Sequence, residues 1–224
     1  MEYRKEIDGL RALAVLPVIF FHAGWQGFAG GFVGVDVFFV ISGYLIASII
    51  LAEQRAGTFR LAGFIERRAR RILPALFLMM SACLVWAILW FLPTDMRFFS
   101  KSLAAVTLFV SNILFWQTSG YFRPATELIP LLHTWSLAVE EQFYVLFPLF
   151  MILSQTWGSR IRTGVLILML LLSLGLAQYL VLTKPSAAFF LLPTRGWEIL
   201  LGVLAAFWQS RQRPIPGMAF REVL

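Results

Sequence analysis

This sequence is poor in cysteine, histidine and charge. Its one cysteine, Cys83, stands alone in an apolar run, so the chain has no partner for an internal disulfide and the residue reads as a small apolar filler. The two histidines, His22 and His133, show no HExxH or comparable spacing, and no metal site is expected. Charged residues make up 14% of the chain against 59% hydrophobic, and the mean hydropathy is +0.78. That balance excludes an ordinary water-soluble globular domain. The sequence also lacks a convincing repeat and a low-complexity linker. A net charge of +7 would admit nucleic acid as a partner. The basic residues, however, are not interleaved with exposed aromatics on a soluble face, so no nucleic acid is expected.

The sequence does have long apolar runs. A helix crosses the hydrocarbon core with about 20 mainly apolar residues, and seven windows qualify: Leu10–Phe28, Phe32–Leu51, Ile72–Leu92, Leu103–Trp116, Trp135–Leu153, Val165–Leu182 and Phe189–Trp208. The fourth is short and the seventh carries charge. The expected fold is all-α, a polytopic transmembrane helical bundle of about seven spans, with the lipid bilayer as its solvent. The first span runs through Gly30–Gly31 into the second, which predicts that it is retained rather than cleaved as a signal peptide. Residues 1–209 read as one membrane domain, incomplete at its C-terminal end. Residues 210–224, with Pro214, Pro216 and Gly217, read as a linker or truncated tail. Gln117–Pro130 is polar and broken by Pro124 and Pro130, which predicts a loop.

Between the second and third spans lie Arg55, Arg60, Arg67, Arg68, Arg70 and Arg71, against only Glu53 and Glu66. The positive-inside rule places that loop in the cytoplasm and the N-terminus with it. Arg160 and Arg162 then fall outside if every window is a full crossing, so either the early signal overrides them or a weak span is re-entrant.

An ionisable side chain inside a span costs a few kcal/mol and is a functional candidate by default. Arg11 and His22 are eleven residues apart, which puts them on one helix face about 16 Å apart along the axis. His22 lies in the deeper, apolar part of the span, where burial favours a neutral imidazole able to accept a proton. Asp36 is the one carboxyl group in the run Gly30 to Gly43, which also holds Ser42, and it must be paired, protonated or facing a cavity. Gly30, Gly31 and Gly34 permit close approach of another helix or of a ligand, and helix packing alone is enough to explain them.

The run Arg67-Arg68-Ala69-Arg70-Arg71 precedes the third span. On a helix Arg68 and Arg71 are neighbours, and two guanidiniums on one face suit a phosphate. Topology signalling and contact with anionic lipid are the commoner uses of such a run. In the fifth span His133, Ser136, Glu140 and Tyr144 form one polar stripe, while Glu141 and Gln142 point about 100° and 200° away. Adjacent carboxylates near a membrane are suited to orienting a histidine or taking up a proton. Arg195 and Glu198, three residues apart, either neutralise one another or contact substrate.

Taken in order, these segments resemble the acyltransferase family 3 of membrane O-acyltransferases. The resemblance rests on Arg11 with His22, on Gly31 through Ile46, on Arg67 through Pro74, on Ser111-Asn112-Ile113, on Leu131 through Tyr144 and on Pro193 through Glu198, and it covers about Tyr3 to Trp208. It implies an enzyme that moves an acyl group, usually acetyl from acetyl-coenzyme A, to a hydroxyl of lipopolysaccharide O-antigen, peptidoglycan or another glycan or lipid-linked glycan of the envelope. The setting it implies is the bacterial cytoplasmic (inner) membrane. The family's arginine–histidine pair corresponds to Arg11 and His22, its RxxR motif to Arg68 and Arg71, and its double glutamate to Glu140 and Glu141.

On this reading Arg11, Arg68 and Arg71 bind the donor, and His22, Glu140 and Glu141 are catalytic. Asp36, Ser42, His133, Ser136, Tyr144, Arg195 and Glu198 support the site or face the substrate. Acetyl-coenzyme A is a substrate, and no cofactor is bound permanently. Members usually carry more spans than seven. Those with the pattern around Ser111–Phe122 often continue into a periplasmic SGNH-type domain, which the resemblance makes an expected partner outside these residues. The rival from another class is a proton-coupled transporter or flippase of a polar or acylated substrate, with the same His, Asp and Glu as proton carriers.

Overall fold

The structure is a computed structural model and describes residues 5–119 and 129–211. Pro124 and the tail beyond Arg211 lie outside the described residues. Among those residues every regular element is helical: α1 (Lys5–His22), α2 (Gly34–Arg55), α3 (Leu61–Trp90), α4 (Pro93–Thr107), α5 (Ser111–Thr118), α6 (Thr134–Leu153), α7 (Ser159–Thr183), α8 (Pro185–Phe190) and α9 (Leu192–Arg211). Single 3₁₀ turns at Gln26–Phe28 and Gly31–Val33 join α1 to α2. Five helical stretches are long and apolar enough to cross a membrane: Gly31–Arg55, Leu61–Trp90, Thr134–Leu153, Ser159–Thr183 and Pro185–Arg211. The protein is therefore a polytopic helical membrane protein. In a bilayer every backbone N–H and C=O must find a partner inside the protein, which only helices and closed barrels achieve.

Two of the seven expected spans differ. The first was expected to continue to Phe28, but α1 stops at His22 and carries Lys5, Glu6, Asp8 and Arg11 in its first half. Beyond it Gly24 takes a left-handed φ of 75°, and Trp25 folds back to stack on Phe20 at 4.6 Å. The fourth window, Leu103–Trp116, is mainly apolar but is not one helix. Phe109, with φ of 53°, breaks it into α4 and α5. A non-glycine residue in that region is uncommon and needs support from its surroundings.

The third span starts earlier than its apolar run. The arginines Arg67, Arg68, Arg70 and Arg71 lie inside α3, with Pro74 one turn further on. The other end of α3 exposes Trp86 and Trp90, whose rings lie 5.7 Å apart.

The chain divides into two compact units. The first holds α1, α2, α7 up to Ser173 and α9 from Gly196. Its helices meet backbone to backbone. A Cβ on Gly31 would overlap the carbonyl of Pro17, and one on Gly34 the carbonyl of Ala14 and the side chain of Val18, so both glycines seat the start of α2 against α1. Between α2 and α9 the contact is reciprocal. A Cβ on Gly43 would meet the carbonyl of Ile199, and one on Gly202 the carbonyl of Val40 and the amide of Tyr44. The helix-packing explanation of Gly31 and Gly34 is the one the structure supports, whereas Gly30 has open space where a side chain would go.

The second unit holds α3 to α6, the rest of α7, α8 and the first turn of α9. Its core mixes aromatic rings, with Trp135 against Phe189 at 4.6 Å and against Phe190 at 5.7 Å, and buried polar side chains from α5 and α6.

Candidate functional site

In the second unit, α3, the α4–α5 break and α6 line an open cavity of about 490 Å³. Most of its wall is apolar, from Phe64, Ile72, Leu73, Leu108, Val110 and Val145, and its polar groups are Arg68, Glu141, Gln142 and Tyr144. A mainly apolar concavity with a few convergent polar groups is the usual form of a small-molecule site.

Arg68 is held from two sides. Its Nη2 donates to Glu141 Oε1 at 3.2 Å, and its guanidinium lies 4.2 Å from the centre of the Tyr144 ring. Both ion-pair side chains are more than four-fifths buried. The Nε–H of Arg68 is buried and has no hydrogen-bond partner, so this arginine retains a donor that the protein itself leaves open, in low dielectric where such a donor is costly to leave unmade. Tyr144 is placed in turn by Glu140, whose Oε2 accepts the phenol proton at 3.4 Å. The double glutamate thus divides its work between the guanidinium and the ring beneath it.

The break between α4 and α5 forms part of the wall and is pinned by amides. Gln142 Nε2 donates to the carbonyl of Phe109 at 2.9 Å and to Asn112 Oδ1 at 2.8 Å. Asn112 Nδ2 donates onward to the carbonyl of Phe190 at 3.1 Å. Ser111 Oγ donates to the carbonyl of Thr134 at 3.1 Å, which ties the start of α5 to the start of α6. Sequence reasoning gave Asn112 and Gln142 no place in the site. The available signal was an amide inside each of two apolar windows, where an unsatisfied amide would cost several kcal/mol.

The remaining candidates fall elsewhere. Arg71 is exposed on α3 and does not line the cavity, so Arg68 and Arg71 are not drawn together on one ligand-sized space here. Arg70 pairs with Glu66 at 2.7 Å on the exposed face. His133 sits just before α6 with its Nε2 3.1 Å from Met79 Sδ, and Ser136 Oγ donates to the His133 carbonyl at 3.2 Å, which is local support of the helix start. Arg195 Nε donates to the Phe189 carbonyl at 3.0 Å, and its guanidinium lies over the Phe189 and Trp135 rings at 5.0 and 5.7 Å.

In the first unit His22 is the last residue of α1 and is exposed. Its Nδ1 lies 2.8 Å from the Val18 carbonyl. A carbonyl only accepts, so Nδ1 carries the proton in this contact and Nε2 is the ring nitrogen left over. Arg11 is half-buried, three turns earlier on the same helix. Asp36 is half-buried in the first turn of α2. Ser42 and Glu198 are buried in α2 and α9. No group of three or more potential metal ligands occurs among the described residues.

A family model described as an acyltransferase domain matches residues 4–216. Among curated proteins the chain is similar to the peptidoglycan O-acetyltransferase OatA of Listeria monocytogenes, with 35% identity over 234 residues covering 100% of this chain and 37% of that protein. It is also 37% identical over 212 residues to a provisionally named O-acetyltransferase of Staphylococcus aureus, covering 92% of this chain and 35% of the other. A provisionally named peptidoglycan O-acetyltransferase of Bacillus subtilis is 37% identical over 218 residues, covering 94% and 34%. The chain therefore spans about a third of the length of the relatives it matches. No solved structure matches it.

Proposed function

This chain belongs to the acyltransferase-domain family, acyltransferase family 3, and from that premise we propose that it is the membrane part of an O-acyltransferase acting on the bacterial envelope. The donor is acetyl-coenzyme A and the acceptor a hydroxyl of an envelope glycan, with peptidoglycan favoured because two of the relatives are named for it. The observation that carries the reading is Arg68, a largely buried guanidinium gripped by Glu141 and Tyr144 at the wall of an apolar cavity, with its Nε–H unengaged. Arginine is the residue of choice for a phosphate-bearing ligand, and the apolar wall suits the uncharged arm that such a donor carries.

The chemistry is acyl transfer from a thioester. The acceptor oxygen attacks the thioester carbonyl, the carbon–sulfur bond breaks, and coenzyme A leaves as the thiolate. The hydroxyl proton goes to Nε2 of His22, the nitrogen left free by the bond of Nδ1 to Val18. Arg68 binds and orients the donor, and Glu140 and Glu141 are positioning residues.

The orientation follows from charge. Arg55 at the end of α2, Arg162 in the first turn of α7 and Arg211 at the end of α9 share one pocket of the first unit, so these three helix ends lie on one side. With Leu103–Trp116 broken, the spans between Arg55 and Ser159 are α3 and α6, an even number. Arg160 and Arg162 then fall on the same side as Arg55–Arg71, and the positive-inside rule supports reading that side as the cytoplasmic one, where acetyl-coenzyme A is made.

The test uses membranes containing the chain, acetyl-labelled acetyl-coenzyme A and a peptidoglycan acceptor. Transfer is expected. Arg68→Ala should raise the donor KM more than it lowers kcat, and His22→Ala should lower kcat by about 100-fold or more. No transfer by a folded wild-type chain that binds acetyl-coenzyme A would overturn the assignment.

A further inference from the structure

A second polar pocket, of about 280 Å³, lies in the first unit between the C-terminal ends of α2 and α9 and the start of α7. Arg55, Arg162 and Arg211 line it, together with Gln54, Ser159 and Ser210, and no Asp or Glu does. Part of each guanidinium is already fixed. Arg55 Nη2 donates to the Ser210 carbonyl at 2.7 Å, Arg211 Nη2 to the Ser159 carbonyl at 2.9 Å and to Ser159 Oγ at 2.7 Å, and Arg162 Nη2 to the Trp157 carbonyl at 3.3 Å. These bonds hold the arginines in place without neutralising them, because every acceptor is uncharged. The Nε–H of Arg162 is buried and has no partner.

Three cations around one small space repel one another, and an anion among them relieves that repulsion. Three guanidiniums, each with donors left over, match the several oxygens of a phosphate. The helices that end here are membrane spans, so the pocket opens at the membrane boundary. We propose that this pocket binds the phosphate group of an anionic phospholipid headgroup. Basic pockets between transmembrane helices on the cytoplasmic side recognise lipid in this way. The inference does not depend on the acyltransferase assignment, and its readout is lipid retention rather than turnover.

The purified chain is placed in nanodiscs of phosphatidylcholine mixed with phosphatidylglycerol, and the lipids retained after detergent extraction are identified by native mass spectrometry. A second arm adds glycerol phosphate in solution. Phosphatidylglycerol should be retained in preference to phosphatidylcholine. Arg162→Gln should lower that preference about five-fold, as expected for one basic residue, and Arg162→Lys should lower it less. Gln54→Glu, which puts a carboxylate into the lining and removes no arginine, should lower it too and covers the case in which Arg162→Gln fails to fold. Binding of glycerol phosphate without any lipid preference would overturn the lipid source. Equal retention of the two lipids by the folded wild type, or an unchanged preference in folded Gln54→Glu, would overturn the proposal.

Discussion

The two units of this chain solve one problem in opposite ways. Lipid tails are as apolar as leucine, so burying leucine between helices gains little over leaving it in the bilayer, and association rests on close packing and on polar bonds. The first unit uses close packing: Gly31 and Gly34 bring α2 against α1, and Gly43 and Gly202 bring α2 against α9. The second uses polar bonds, with Gln142, Asn112, Ser111 and Thr134 linking α5 and α6, and with Arg68 of α3 held on Glu141 and Tyr144. The close-packed unit has little capacity to adjust. The polar unit leaves a cavity of about 490 Å³ between its helices, against about 280 Å³ at the helix ends of the first unit.

If that contrast is right, the largest effect should come from one methyl group in the first unit. Gly202→Ala and Gly31→Ala each drive a Cβ into backbone atoms of a neighbouring helix, and overpacking against backbone should cost about 3 kcal/mol or more. Expected is loss of the monodisperse peak in detergent size-exclusion chromatography; a normal peak and melting temperature would break the comparison. Next comes Glu141→Ala, which leaves the Arg68 charge largely buried without its carboxylate. Because neither side chain is fully buried, about 2 kcal/mol is expected in place of the larger figure for a fully buried pair, and it should be read as a lower melting temperature together with weaker acetyl-coenzyme A binding.

Gln142→Leu removes the donor to both Phe109 and Asn112 and should destabilise by about 1 kcal/mol, near the upper part of what single polar bonds contribute between membrane helices. Faster proteolysis at the α4–α5 break would report it. The smallest effect is the sharpest control. Gly30→Ala, one residue from Gly31 but with nothing near its Cβ position, should stay within about 0.5 kcal/mol of wild type in thermal unfolding. If Gly30→Ala and Gly31→Ala behaved alike, close approach would not be what the glycines provide.

Hydropathy made most of the fold legible. It is a local property, and windows around α2, α3, α6, α7 and α9 all contain a helix that can cross. It failed where a single backbone angle decides the outcome. Leu103–Trp116 is as apolar as a span should be, and nothing in a sliding average registers that Phe109 adopts a left-handed φ or that Gln142, more than thirty residues away, bonds its carbonyl. Likewise α1 ends at His22 because the chain turns back on Phe20, a contact invisible to composition.

The site was half legible. Helical spacing correctly paired Glu140 with Tyr144, and the arginine run contained Arg68, which lines the cavity. Spacing along one helix says nothing about which residue of another helix it meets, so the pairing of Arg68 with Glu141 needed three dimensions. The same gap kept Asn112 and Gln142 out of the site and treated Arg68 and Arg71 as equals.

The length of α3 has a consequence for depth. Its 30 residues measure about 45 Å end to end, well beyond a hydrocarbon core of about 30 Å. The stretch from Ile72 to Trp90, bounded by arginines at one end and the exposed Trp86 and Trp90 at the other, measures about 28 Å and matches that core. Arg68 then lies about 6 Å beyond its edge. The helix acts as its own depth gauge, and it sets the guanidinium where bulk water gives way to oil, so that a ligand can leave its polar end in the aqueous layer while its other end slides inward along the same wall.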